Sequence, residues 1–185
     1  MERGTADVAA IMSLPSGMRM VQIAYATTDV RAAATAWHRR YGAGPFYVRE
    51  HVPTEYVDVP GEGGGVFDHT CALGQWGPVM VEFVHHHALE PVALEKDMRR
   101  GATGIHHVAC FVDDINDARD RLVADGARVV MDASTPEVRF VFLDPGPHVG
   151  HLIEIYEDTP YLTGLYRRVA KAAQGWDGTN LLRER

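Results

Sequence analysis

The chain has 185 residues, of which 46% are hydrophobic and 23% charged, as is typical of one globular domain or two small modules sharing a core. Its formal net charge of -7 leaves no excess of Lys and Arg to neutralise a phosphate backbone, so we expect no nucleic-acid partner. No apolar run approaches the roughly 18 residues of a membrane span, and residues 1–19, an N-terminal extension, lack secretory-signal features. We therefore expect a cytoplasmic protein with no membrane partner.

The first predicted module spans residues 20–84. It opens with an apolar run suited to a strand, MVQIAYA, and continues to Asp29, which can cap a helix N-terminus. Apolar residues then recur at helical spacing until Gly42, which is expected to end the helix. Three strand-like segments follow, PFYVREHV, GVFDHTCAL and PVMVEFV, so the module has the order βαβββ. The glycine-rich GEGGG between them lacks the Lys-Ser/Thr of a phosphate loop and is interpreted as a loop tip.

The second predicted module, residues 104–157, repeats this pattern. Its segment IHHVACFVDDINDA aligns with MVQIAYATTDVRAA of the first module. In this alignment Asp114 takes the capping position of the second helix. Three strand-like segments follow the helix: ARVVMD, VRFVFLD and HLIEIYE. Residues 85–103 form the predicted linker, whose opening histidine triplet is interpreted as a solvated strand end able to bind stray metal weakly. Residues 158–185 are predicted to form a helical extension with one apolar face.

Strand parity points to a functional site. In the first and last strand of each module, one face is almost wholly apolar, and the opposite face carries one strong polar group. These four groups are Gln22, Glu82, His107 and Glu154. Two glutamates facing one cavity would repel each other, which a bound divalent metal would resolve. In the competing interpretation, the two glutamates face solvent, and Gln22 and His107 make ordinary hydrogen bonds. That interpretation does not explain why each of the four strands carries one such polar residue on the same face.

From about Met20 to Glu157, and most specifically in GIHHVACFVDDINDARDRLVADGARVV and FVFLDPGPHVGHLIEIYE, the sequence resembles the vicinal oxygen chelate superfamily. That superfamily includes glyoxalase I, methylmalonyl-CoA epimerase, extradiol dioxygenases and bleomycin-resistance proteins. The resemblance implies an α+β fold in which two βαβββ modules form a curled mixed sheet around a metal site, with a C-terminal helix added. The family's ligand positions fall on the same four side chains, so His107 is the expected ligand and His106 is expected to face outward, toward a helix or an interface.

The ligand set looks like that of the glyoxalase I and methylmalonyl-CoA epimerase branch. The resemblance therefore implies a divalent-metal-dependent lyase, isomerase or epimerase that binds one Zn, Ni, Co or Mn ion. Glu154 would move a proton next to the chelated carbonyl, with Glu82 as its near-symmetric counterpart. The implied partners are a small carbonyl substrate, such as an acyl-CoA or a thiol adduct, and a second copy of the chain in a homodimer.

Two alternatives stay open. A non-enzymatic small-molecule binding or resistance protein could have the same fold. An extradiol-type dioxygenase would need iron, which fits less well, because non-haem iron oxygenases use two histidines and one carboxylate whereas this set holds a single histidine.

Overall fold

The computed structural model describes residues 17–99 and 103–184 and shows an 11-stranded mixed sheet with four helices in that part of the chain. The strands are β1 (Arg19–Ala26), β2 (Phe46–Arg49), β3 (Tyr56–Val59), β4 (Gly63–Gly64), β5 (Val66–Trp76), β6 (Val79–Glu90), β7 (Gly104–Val112), β8 (Arg128–Ser134), β9 (Arg139–Asp144), β10 (Leu152–Glu157) and β11 (Leu182–Glu184). The helices are α1 (Val30–Tyr41), α2 (Val92–Met98), α3 (Ile115–Ala124) and α4 (Pro160–Ala173). Most of the predicted N-terminal extension and the end of the predicted linker lie outside the described residues.

The two halves of the sheet have the same arrangement. In each half the first strand pairs in parallel with the last, β1 with β6 and β7 with β10. The halves join through β1 and β7, which pair antiparallel in the middle of the sheet. The predicted α+β class, with paired βαβββ modules in a curled mixed sheet and a C-terminal helix, is confirmed. One hairpin departs from this symmetry. Strands β3 and β4 come from the first half of the chain but extend the edge of the second half of the sheet, because β3 pairs with β8 and β4 pairs with β3.

The same capping device starts both module helices. The Asp29 carboxylate accepts backbone hydrogen bonds from Arg31 and Ala32 at 3.0 and 2.9 Å, and Asp114 does the same at the start of α3. Each cap satisfies backbone N–H groups that have no partner within the helix. α1 ends at Gly42, whose φ of 69° is the left-handed conformation that glycine adopts readily. Both caps and this helix end are as predicted.

Helix α4 packs on the concave face of the sheet, within the same chain. Leu162, Leu165 and Val169 are buried on its predicted apolar face and join the largest core cluster. The other two core clusters lie on the outer face, beneath α1 in the first half and beneath α3 in the second. The sheet is therefore covered on both sides, and its concave side encloses a cavity lined in part by α4.

Two irregularities in the strands change which side chains face the cavity. β6 does not end at residue 84 but continues to Glu90, so the histidine triplet lies inside a strand that was predicted to end before it. On β7, His107 pairs with Ala24 and Ile105 pairs with Tyr25, which leaves His106 as an extra residue in a β-bulge. A bulge interrupts the alternation of side chains and can turn two neighbouring residues toward the same side.

None of the helices in the described part of the chain has both the length and the apolar character needed to cross a membrane.

Candidate metal centre

Four neighbouring strands, β6, β1, β7 and β10, gather the predicted residues on one face of the sheet. Glu82 and His107 lie in one cross-strand row, and Gln22 and Glu154 lie in the adjacent row. All four side chains line the same cavity. In each row the position between the two polar residues is taken by a small, fully buried side chain, Ala24 or Ala109.

The imidazole of His107 lies between the two carboxylates. Its Nε2 atom is 3.4 Å from Glu82 Oε2 and 3.3 Å from Glu154 Oε2, yet it makes no hydrogen bond. Ligand atoms bound to one ion at about 2.0–2.2 Å lie about 3.0–3.6 Å from each other, so these separations suit a shared metal. A buried ring nitrogen without a partner, flanked by two carboxylates, is the arrangement that a divalent cation satisfies.

His106 determines which nitrogen of His107 faces the carboxylates. His106 Nε2 lies 2.9 Å from the carbonyl oxygen of Met98, so this nitrogen carries a proton and donates it. In a neutral ring, His106 Nδ1 is then an acceptor, and it lies 2.8 Å from His107 Nδ1, which must be the donor. The lone pair available for a metal is therefore on His107 Nε2. Because both nitrogens of His106 are engaged in hydrogen bonds, His106 has no free nitrogen to offer a metal.

Gln22 is held in place by two tyrosines. Its amide oxygen accepts hydrogen bonds from the hydroxyls of Tyr166, at 2.6 Å, and Tyr156, at 3.1 Å, and these hydroxyls also contact each other. Its amide Nε2 donates to Glu82 Oε2 at 2.5 Å. Gln22 could offer its oxygen to a metal only if its amide group rotated by a half-turn. The two tyrosine hydroxyls would then accept hydrogen bonds from the amide nitrogen, since a hydroxyl can accept as well as donate. The residues that could hold a metal without such a rotation are therefore Glu82, His107 and Glu154.

The charges of the site favour a bound cation. Burial by itself would lower the pKa of His107, but the negative charges of Glu154 and Glu82, both close to the ring, outweigh it and raise that pKa to about 9. Burial raises the pKa of Glu154. Burial also opposes ionisation of Glu82, yet the close imidazole of His107 and its positive charge keep the Glu82 pKa below its ordinary value. Two carboxylates in this setting need a positive charge between them, which a proton on His107 or a metal ion supplies.

The predictions for the other histidines were wrong in two respects. His106 was expected to face outward, but it is 4% exposed and lines the cavity, because the bulge turns it inward. The triplet was expected to be solvated, but its middle member, His86, is 6% exposed and also lines the cavity. His85 does turn away, as strand parity predicted, and binds the carbonyl oxygen of Thr27 at 3.1 Å.

The sequence interpretation missed several polar residues of the cavity wall. His86 lies four positions after Glu82, so continuing the alternation of β6 would have placed it on the cavity side. His69 lies on β5, opposite His86 on β6. It precedes Cys71 by two residues, so strand alternation turns both side chains toward the cavity. Tyr166 had no such signal, because it reaches the site only through the packing of α4 on the sheet.

A second group of metal-competent side chains lies at the surface. Glu50, His51 and His87 bring their ligand atoms to within 4.8 Å of one another, but all three residues are exposed. Glu50 already pairs with Arg31 at 2.6 Å, and His51 lies 2.9 Å from Asp68. Exposed groups with other partners bind metal weakly, so this surface cluster serves as the control for the buried site.

We expect His106→Phe to weaken metal binding about 10- to 100-fold, because groups that orient a metal ligand have effects of that size. The phenyl ring retains the aromatic volume but cannot accept the proton of His107 Nδ1. Affinity is measured by competition with a chromophoric chelator. The matched control is His85→Phe, which changes a histidine on the far side of β6 and should leave the affinity unchanged. An unaltered affinity in His106→Phe would contradict the proposed hydrogen-bond chain.

The paired modules and the polar cluster on the concave face define the fold of the vicinal oxygen chelate proteins. Residues 21–142, well over half of the chain, match the family model described as "Glyoxalase/Bleomycin resistance protein/Dioxygenase superfamily". The chain therefore belongs to this superfamily. No curated protein matches the sequence significantly.

Solved structures share the fold at low sequence identity. A hypothetical protein from Bacillus halodurans C-125 is 19% identical with a TM-score of 0.51, covering 77% of this chain and 95% of its own. Methylmalonyl-CoA epimerase from Mycobacterium tuberculosis is 22% identical with a TM-score of 0.48, and the match covers 78% of this chain and 91% of the epimerase. A Streptomyces coelicolor methylmalonyl-CoA epimerase variant with 2-nitronate-propionyl-CoA is 21% identical with a TM-score of 0.48, covering 77% and 95%.

Proposed function

We propose that this chain is a divalent-metal-dependent isomerase or epimerase that transfers a proton at a carbon next to a substrate carbonyl. The observation that carries the proposal is the buried His107 Nε2, unpaired and within 3.4 Å of carboxylate oxygens of both Glu82 and Glu154. Glu82, His107 and Glu154 would hold the metal, with Gln22 as a fourth ligand after rotation of its amide. Zn, Ni, Co and Mn all suit oxygen and imidazole ligands.

A metal bound there would polarise the substrate carbonyl and stabilise the negative charge that develops when the adjacent carbon loses its proton. We assign the proton transfer to Glu154, because its side chain is 13% exposed. Within the described residues, this side chain forms one ion pair, with His107. Glu82 is held more firmly, since it also accepts the hydrogen bond from Gln22. Glu82 is the second candidate, placed to return a proton from another side of the substrate.

The surroundings of the site suit a small organic substrate. The cavity has a volume of about 110 Å³ and opens to solvent, so it can take up a small group of a substrate whose remainder extends outward. Apolar side chains from β5, β9 and α4 line much of it, among them Phe67, Phe142 and Leu165. Such walls reduce the water around the carboxylates and strengthen their interaction with a substrate proton. Gln22, Glu82, His107 and Glu154 all belong to one chain and line one cavity.

The test is exchange of a substrate C–H with solvent deuterium. The Co²⁺-loaded and the chelator-treated protein are incubated in D₂O with three probes: a 2-methyl-branched acyl-CoA, a 2-oxo acid, and a hemithioacetal of a 2-oxoaldehyde. We expect metal-dependent deuterium incorporation next to the carbonyl of at least one probe class, detected by mass spectrometry. Ligand binding with no exchange in any class would favour the binding-protein alternative over the enzyme.

A further inference from the structure

Arg49 is a cation at the cavity wall with no anion beside it. It ends β2 and lines the same cavity as the metal centre, and its side chain forms no ion pair or hydrogen bond within residues 17–99 and 103–184. The acidic residue that follows it is engaged elsewhere, because Glu50 pairs with Arg31. A guanidinium at a cavity wall without a carboxylate partner is suited to receive an anionic group from a ligand.

Two histidines that line the same cavity as Arg49 offer further hydrogen bonds. The Nδ1 of His69 and the Nε2 of His86 are buried and have no partner, and both residues line the cavity. Burial lowers the pKa of His69 to about 4 and that of His86 to about 2, so both rings are neutral near pH 7. They are therefore hydrogen-bonding groups rather than charges, and buried groups of this kind are normally satisfied by a ligand or water.

The strand register places these groups beyond the metal centre along one wall. Cys71 pairs with both Arg49 and Val84, and Val84 lies two residues after Glu82 on β6. Two residues along a strand correspond to about 7 Å, and the row of His69 and His86 lies another step of the same length away. Along the strands, the row of Arg49 therefore lies between the row of Glu82 and the row of His69 and His86.

The balance of charge has a consequence for the ligand. A divalent metal would neutralise Glu82 and Glu154, the neutral histidines add no charge, and Arg49 leaves one positive charge uncompensated in the described part of the cavity. We propose that Arg49, assisted by His69 and His86, binds a carboxylate on the substrate, so that the substrate carries an anionic group in addition to the carbonyl that chelates the metal. The inference rests on the proposed function, because it takes the other end of the substrate to be a metal-chelating carbonyl.

Two 2-oxo acids of the same shape test this assignment. 2-Oxoglutarate carries a distal carboxylate, and 5-methyl-2-oxohexanoate carries two methyl groups in place of its oxygens. Both chelate a metal through the same 2-oxo acid end, and both are titrated into the Co²⁺-loaded protein, with the visible cobalt absorption reporting chelation. We expect 2-oxoglutarate to bind at least about tenfold more tightly, as expected for a hydrogen bond to a charged group.

Arg49→Met should bring the two dissociation constants to within about twofold by weakening 2-oxoglutarate alone. The matched control is Arg40→Met, an exposed arginine at the end of α1, which should retain the full preference. His86→Phe keeps an aromatic ring beside Phe67 and should reduce the preference by a smaller factor, independently of Arg49. Thermal melting of each variant verifies that it is folded.

Equal binding of both probes by the wild-type protein, or a preference that persists in Arg49→Met, would overturn the carboxylate subsite and leave the proposed function standing. If neither probe changes the cobalt spectrum, the carboxylate subsite is contradicted, while the proposed function is decided separately by deuterium exchange with the acyl-CoA and hemithioacetal probes.

Discussion

His107→Ala is expected to remove the bound metal. The wild-type protein should retain about one divalent ion per chain after dialysis, and the variant close to none, because the imidazole is the ligand flanked by both carboxylates. The measurement is elemental analysis of untagged protein. Removing the ring leaves two buried carboxylates facing each other, which costs several kcal/mol of stability, so the circular dichroism of the variant is recorded as well. His107→Gln serves as a milder second variant.

The control for this measurement is His87→Ala. His87 belongs to the exposed cluster with Glu50 and His51, the other place where the described residues could collect a metal. We expect His87→Ala to keep its full metal content. The opposite pattern, with metal lost from His87→Ala and kept in His107→Ala, would place the ion at the surface and contradict the buried centre.

Glu154→Gln is expected to lower the rate of deuterium exchange about 10²- to 10⁴-fold, the usual contribution of a general acid or base. The amide keeps the size of the side chain and an oxygen that can bind a metal, but it cannot accept the substrate proton. Exchange is measured under the same conditions as for the wild-type protein, together with metal content. A variant that keeps its metal and loses exchange separates proton transfer from metal binding.

Glu157→Gln is the matched control on the same strand. Strand parity turns Glu157 away from the cavity, and its carboxylate accepts a hydrogen bond at 3.2 Å from the backbone N–H of Ile115, at the start of α3. This change should leave exchange intact. Full exchange in Glu154→Gln would exclude Glu154 as the base, and Glu82→Gln would then be the variant to measure.

Local sequence patterns were enough to predict the strands and helices that build the site. Side-chain alternation is a local property of a strand, so it placed Gln22, Glu82, His107 and Glu154 on corresponding faces without knowledge of the fold. The caps at Asp29 and Asp114 are equally local, since each carboxylate binds N–H groups two and three residues away. The duplicated pattern then predicted the paired modules, because equivalent segments form equivalent elements.

The parts that sequence could not supply depend on contacts between distant segments. The bulge that turns His106 inward arises from the pairing of β7 with β1, and the burial of His86 requires β6 to continue alongside β5. Tyr166 reaches Gln22, 144 residues away in the chain, only because α4 packs on the concave face.

The sequence by itself therefore determined which polar residue stands out on each of the four strands and on which face of the strand it lies. Only the tertiary structure decided which of them meet, which histidine supports His107, and that Arg49 lies along the same wall as the metal centre. The physical reason is that side-chain direction follows from neighbouring residues, whereas register, bulges and helix packing depend on long-range pairing and burial.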